Sequence, residues 1–180
     1  MTRGVPVWQL AAAGLIGALL GLAATRDALF PATPIVACVL FAVLGVLAII
    51  DARTYYLPDP WMITAGAVVA LHPIIIGATS ELAVGVFFFL LAAVGASIGF
   101  CLFAITRMVT RGQLGFGDVK LAAVLGGWLL PFGWQALGVA AVLTAIIGAL
   151  WMMVALSRGR RAAPYGPAMI AGAILATGLI

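Results

Sequence analysis

Seven runs of apolar residues, separated by short polar breaks, make up most of this chain. They cover Val7–Ala24, Pro34–Ile50, Trp61–Gly77, Leu82–Thr106, Val119–Leu130, Trp134–Leu156 and Pro164–Ile180. The runs are continuously apolar rather than alternating, so they predict helices and not the strands of a membrane barrel. A crossing needs about 20 mostly apolar residues, and the fifth run is short by that measure. Lys120 at its start can extend its ammonium to the headgroups. Alternatively, the run starts inside the protein, with the preceding loop dipping into the membrane. The predicted architecture is an all-α, polytopic transmembrane helix bundle of about seven spans. Six is the alternative, if the first run is removed or lies peripherally. That run is long for the apolar region of a signal peptide, so it is read as a retained helix.

Composition agrees with the pattern. Hydrophobic residues make up 66% of the 180 positions and charged residues 8%, against roughly 25% charged in a soluble domain. Mean hydropathy is +1.28. Such a chain has too few polar side chains to cover a water-facing globule, and its backbone must satisfy itself within helices. The net charge of +4 comes from Lys and Arg scattered singly between apolar runs. That distribution points to topology control rather than nucleic-acid binding. Cys38 and Cys101 each lie inside an apolar run, without a CxxC spacing or a nearby His. They read as small buried apolar residues, not as a disulfide or a zinc site. No metal and no cofactor are expected.

The loop charges orient the chain. With a cytoplasmic N-terminus, Arg3, Arg53, Arg107, Arg111, Arg158, Arg160 and Arg161 fall on the inner side, Lys120 lies at that edge, and only Arg26 is outside. This is the positive-inside bias. If the fifth run did not cross, the last arginine cluster would change sides. The residues 1–180 read as one transmembrane domain with no separate soluble domain, and no repeat supports an inverted-repeat transporter.

Three of the five acidic residues lie on the inner side. Asp51 closes the run Leu47-Ala48-Ile49-Ile50, Asp59 sits in Leu57-Pro58-Asp59-Pro60, and Asp118 follows Gly115-Phe116-Gly117. An ionisable residue at membrane depth is a functional-site hypothesis by default. Two carboxylates in one low-dielectric site share a proton, which leaves one able to activate water and the other able to polarise a carbonyl. Gly115, Phe116 and Gly117 form a flexible stretch against which an extended substrate backbone can lie. The same residues fit a plain loop-to-helix junction with Asp118 as an N-cap, and spacing alone leaves the two readings level. Asp51 equally fits an interfacial charge paired with Arg53. Asp59 fits the N-cap of the next helix, and Lys120 either pairs with a carboxylate or contacts a lipid phosphate. Tyr55, Tyr56 and Trp61 fit an interfacial aromatic belt. His72, the one histidine, falls near the outer end of its run, far from the inner carboxylates.

The stretch Gly115-Phe116-Gly117-Asp118-Val119-Lys120-Leu121 resembles the GxGD signature of the type IV prepilin peptidases, membrane-embedded aspartic proteases. Ile50-Asp51 followed by Leu57-Pro58-Asp59 resembles their other motif, and Pro164-Tyr165-Gly166-Pro167-Ala168 resembles their proline–glycine element at the last helix. The resemblance covers most of the chain, from about Leu40 onward. It implies that Asp51 and Asp118 are the catalytic pair, with Asp59 and Lys120 supporting. It implies a prepilin or pilin-like substrate whose basic leader is cleaved at the cytoplasmic face of a bacterial inner membrane. Longer members carry a cytoplasmic segment with paired CxxC motifs, linked to N-methylation; this sequence has none, so it resembles the short, peptidase-only form of Flp/Tad pilus systems. Gln113 departs from the glycine often found in longer relatives. A small transporter or ion relay using the acidic residues, a scaffold without chemistry, and a GxGD protease with another substrate are the competing readings. The sequence names neither the pilin nor the oligomeric state.

Overall fold

The apolar runs fold as the pattern requires, because a backbone without water must make its hydrogen bonds within each segment. The computed structural model describes residues 5–159 and 163–180. Arg3, Arg160 and Arg161 of the topology argument lie outside the described residues. Among the described residues there are seven α-helices and no strand: α1 Val7–Ala24, α2 Ala32–Thr54, α3 Asp59–Thr79, α4 Leu82–Val109, α5 Phe116–Leu129, α6 Trp134–Ser157 and α7 Gly166–Leu179. A 3₁₀ turn, Leu130–Phe132, extends α5 before Gly133 (φ 113°) redirects the chain into α6.

Five of these helices, α1, α2, α3, α4 and α6, are long and apolar enough to cross a membrane. The chain is thus an all-α, multi-pass membrane bundle. The other two, α5 and α7, have 14 residues each. They are the buried elements: Val119, Leu121, Leu125 and Trp128 of α5 and Met169, Ile170, Ala173 and Ala176 of α7 are all inside. A helix surrounded by protein does not need the length that lipid contact demands.

The core lies between α2, α5 and α7. Leu40, Phe41, Leu44 and Leu47 of α2 are fully buried, and the Phe41 ring meets the Trp128 indole edge to face at 5.9 Å. The outward faces of α1, α4 and α6 present Leu15, Leu19, Phe87, Leu90, Leu150 and Met153. Such continuous apolar exposure suits lipid rather than water.

With lipid tails as apolar as leucine, helix association rests on close packing of small residues. The structure uses this at three seams. In α1 and α2, Gly21 lies against Ala37, and Gly17 against the backbone at Phe41. In α4 and α5, Gly95 faces Gly126; a Cβ added at Gly95 would stand 2.7 Å from the Leu130 Cβ. In α3 and α4, Gly85 lies against Gly77, one turn after Pro73.

This packing brings five helix ends together: the C-termini of α2 and α4 and the N-termini of α3, α5 and α7. The links are Asp51 to Gly166, Asp59 to Lys120 and Arg107 to Phe116, while Tyr165, just before α7, is seated against Gly148 in the interior of α6. The opposite end holds the buried His72, whose Nε2 lies 3.0 Å from the Thr33 hydroxyl and whose ring centre lies 5.2 Å from that of Trp128, the planes tilted by 41°. Trp128 in turn donates to the Thr177 hydroxyl, 3.2 Å away.

Candidate active site

Asp51 lies in the last turn of α2 and is buried, with 6% of its surface exposed. Its Oδ2 accepts a hydrogen bond from the backbone N–H of Gly166, the first residue of α7, at 3.0 Å. The first N–H groups of a helix have no partner within it and favour an anionic acceptor. The approach also requires glycine: a Cβ at position 166 would stand 2.7 Å from that oxygen. No ion pair joins Asp51 to Arg53 among the described residues, so the interfacial-pair reading of Asp51 gives way to this contact.

Just past Asp51 the chain leaves α2 through Tyr55, which takes a left-handed conformation (φ 55°, ψ 30°) and donates its N–H to the Asp51 carbonyl at 2.9 Å. Left-handed backbone is uncommon outside glycine, asparagine and aspartate. It turns the chain sharply, so that the buried Leu57-Pro58 pair can start α3 beside α5.

Asp118 is reached from the other direction, in the first turn of α5. It is not the N-cap: Gly115 holds that position, extended at φ −62° and ψ 141°, and Asp118 is the third helical residue. Its backbone N–H bonds the Gly115 carbonyl at 3.2 Å, and the Gly115 backbone hydrogen-bonds its carboxylate in return. This is the reciprocal arrangement that a carboxylate three residues into a helix makes with its cap. Phe116 and Gly117 are therefore helical rather than loop, and α5 starts three residues before the apolar run. Neither Gly115 nor Gly117 has a positive φ. Their smallness serves contact instead: a Cβ at Gly117 would stand 3.0 Å from the Leu57 Cβ, and one at Gly115 3.2 Å from the Asp118 Oδ2.

The remaining expected residues join the same end. Asp59 is the first residue of α3 behind the N-cap Pro58, not the cap itself, because Pro58 supplies the extended backbone that precedes the helix. Its carboxylate is free to reach Lys120, 2.6 Å away. Lys120 thus pairs with a carboxylate, and its ammonium also lies 5.1 Å from the centre of the Phe116 ring. Arg107 covers the same ring at 5.8 Å and donates to the Leu114 carbonyl, tying the end of α4 to the start of α5.

Asp51, Asp59, Asp118 and Lys120, with Tyr55, Tyr56, Leu57 and the Gly115-Phe116-Gly117 stretch, line one cavity of about 300 Å³. The Asp51 and Asp118 carboxylates lie close enough to act on each other electrostatically. Two carboxyls from different helices, facing one polar cavity in a greasy bundle, can exchange a proton between them and with a water held there. His72 lies outside this group. Sequence reasoning did not find the bond between Gly166 and Asp51. The Pro164–Pro167 pattern marked the place without revealing its partner.

A family model described as the Type IV leader peptidase family matches residues 38–153. Over 86 residues the chain is 40% identical to a prepilin leader peptidase/N-methyltransferase of Bacillus subtilis (strain 168), covering 46% of this chain and 34% of that protein. A Burkholderia pseudomallei (strain 1026b) protein of the same description is 33% identical over 181 residues, 93% of this chain and 52% of the relative. One from Pectobacterium carotovorum is 28% identical over 152 residues, 77% and 49% of the two lengths. The chain thus spans about half the length, or less, of these curated relatives. No solved structure matches it.

Proposed function

The chain belongs to the Type IV leader peptidase family, and on that premise we propose that it is a membrane-embedded aspartic endopeptidase that removes the leader of a prepilin or pilin-like substrate. The observation that carries this reading is the shared cavity: Asp51 and Asp118, from two helices, face it together. In the reaction, an ionised carboxylate of the pair takes a proton from water as the oxygen attacks the scissile carbonyl. The protonated partner gives its proton to the carbonyl oxygen. The tetrahedral diol collapses when one carboxyl gives a proton to the leaving nitrogen, the C–N bond breaks and the other carboxylate takes a proton from a diol hydroxyl. The pair ends with the same number of protons as it began.

The other residues take supporting parts. Gly166 holds one oxygen of Asp51, leaving the second for chemistry. The Asp59–Lys120 pair and the Phe116 ring fix the start of α5, and so the direction of Asp118. The inner-side excess of Lys and Arg supports a cytoplasmic cavity in a bacterial inner membrane, the side on which a basic leader would wait. We read residues 1–180 as one peptidase domain.

The test is direct. Asp51→Asn and Asp118→Asn, each inserted and folded as the parent, should lower leader removal from a co-expressed prepilin by about 100-fold or more, read by mass spectrometry of the pilin N-terminus. Full cleavage by either variant overturns the assignment.

A further inference from the structure

A second cavity, of about 210 Å³, lies between α4, α5, α6 and α7. It exceeds the ~150 Å³ void that admits benzene into an apolar protein interior. Among its lining side chains only Thr144 and Tyr165 carry a polar group. Gly99, Gly126 and Ala140 are among the small residues on its lining. Along α7 it reaches from Tyr165 to Ala173, about 12 Å at 1.5 Å per residue. Its shape is a groove parallel to the bundle axis. Leu102 and Ala141 are exposed on its lining, so the groove opens sideways between α4 and α6 to the surroundings of the bundle.

Tyr165, at one end of the groove, is the chain neighbour of the residue that holds Asp51. The tyrosine ring is seated against Gly148, where a Cβ would stand 2.7 Å from its Cε2, and its centre lies 6.3 Å from that of Phe103. The next residue, Gly166, holds Asp51. One end of the groove thus lies beside the clasp on Asp51.

We propose that this groove docks the apolar helix of the substrate immediately after the scissile bond, taking a ridge of its side chains while the rest of that helix stays in the bilayer. The proposal rests on the leader-peptidase reading above. Three features select this occupant: the groove runs along the bundle as a membrane-embedded helix would, it opens toward lipid, and one end lies beside the clasp on Asp51. Its volume suits side chains of one helix face and not a whole helix. Apolar anchors spaced at helical intervals are the usual currency of such docking.

The experiment uses the full chain in lipid vesicles and two prepilin-type substrates that share one basic leader. Their downstream helices differ only in the first two turns, leucine-rich in one and alanine in the other. The wild type should cleave the leucine form with the higher kcat/KM. Ala141→Trp, which fills the groove from its exposed side, should lower the leucine-to-alanine ratio of kcat/KM at least tenfold. A wild type indifferent to the substitution, or an unchanged ratio in Ala141→Trp, overturns the groove while leaving the peptidase reading intact. Absence of cleavage by the wild type overturns both. A second arm does not depend on the bulky variant folding. Asp118→Asn is irradiated with a substrate carrying benzophenone in the second turn of its helix. Adducts on the α4 and α6 segments bordering the groove are expected. Adducts only on α1, or only on lipid, overturn the proposal.

Discussion

At the scale of single residues, the proposed site depends on one contact that a methyl group would break. Gly166 lets the start of α7 touch the Asp51 carboxylate, and a Cβ there would fall 2.7 Å from its Oδ2. Gly166→Ala should therefore push the carboxylate aside. The expected result is a fall in kcat/KM of about 100-fold, the scale of a misplacement near 1 Å, with the helix content by circular dichroism unchanged. Activity equal to the parent would mean that Asp51 does not act from this position. Asp51 and Asp118 were legible in the sequence as candidates because a carboxylate beside an apolar run is costly and stands out. Gly166 was not, because its partner lies 115 positions away and only packing brings them together. Asp59 was legible as a helix start but not as the partner of Lys120. That bond depends on α3 and α5 lying side by side.

At the scale of elements, the apolar runs and the helices coincide to within a few residues, since continuous hydropathy and helix formation have one cause in lipid. The differences fall where polar residues are part of a helix. The first turn of α5 carries Gly117 and Asp118, so hydropathy alone starts the helix too late. The closeness of α4 to α5 was also hidden: glycine-rich composition suggests tight seams without saying which glycines meet. The seam yields a prediction about stability. Gly95→Val would place side-chain carbon against Leu130 and the Gly126 backbone. Overpacking of this kind costs about 1–3 kcal/mol, so its thermal unfolding midpoint in detergent should fall below that of the parent. An equally bulky change at the exposed Leu90 of the same helix, Leu90→Phe, should leave the midpoint near the parent value.

At the scale of the whole molecule, the five gathered helix ends and the loop charges make one claim about sidedness. With Cys38 and Cys101 replaced by serine, Gln113→Cys in the loop before α5 should react with a membrane-impermeant maleimide only when the reagent reaches the cytoplasmic face. Ser80→Cys, between α3 and α4, should react only from the other face. Labelling of both from one face would refute the alternating topology. The two short helices carry a consequence for how the site meets water. α5 and α7 hold Asp118 and the Asp51 clasp, and at 1.5 Å per residue each 14-residue helix is about 21 Å long. The hydrocarbon they stand in is about 30 Å thick, so the site-bearing centre of the bundle is thinner than its surroundings. Longer helices rather than lipid enclose them, so their ends leave a recess inside the bundle that water can fill without thinning the bilayer around it, and the proposed hydrolysis consumes water. Changing the acyl-chain length of the host vesicles should therefore leave leader cleavage little changed, with the same enzyme, substrate and pH throughout.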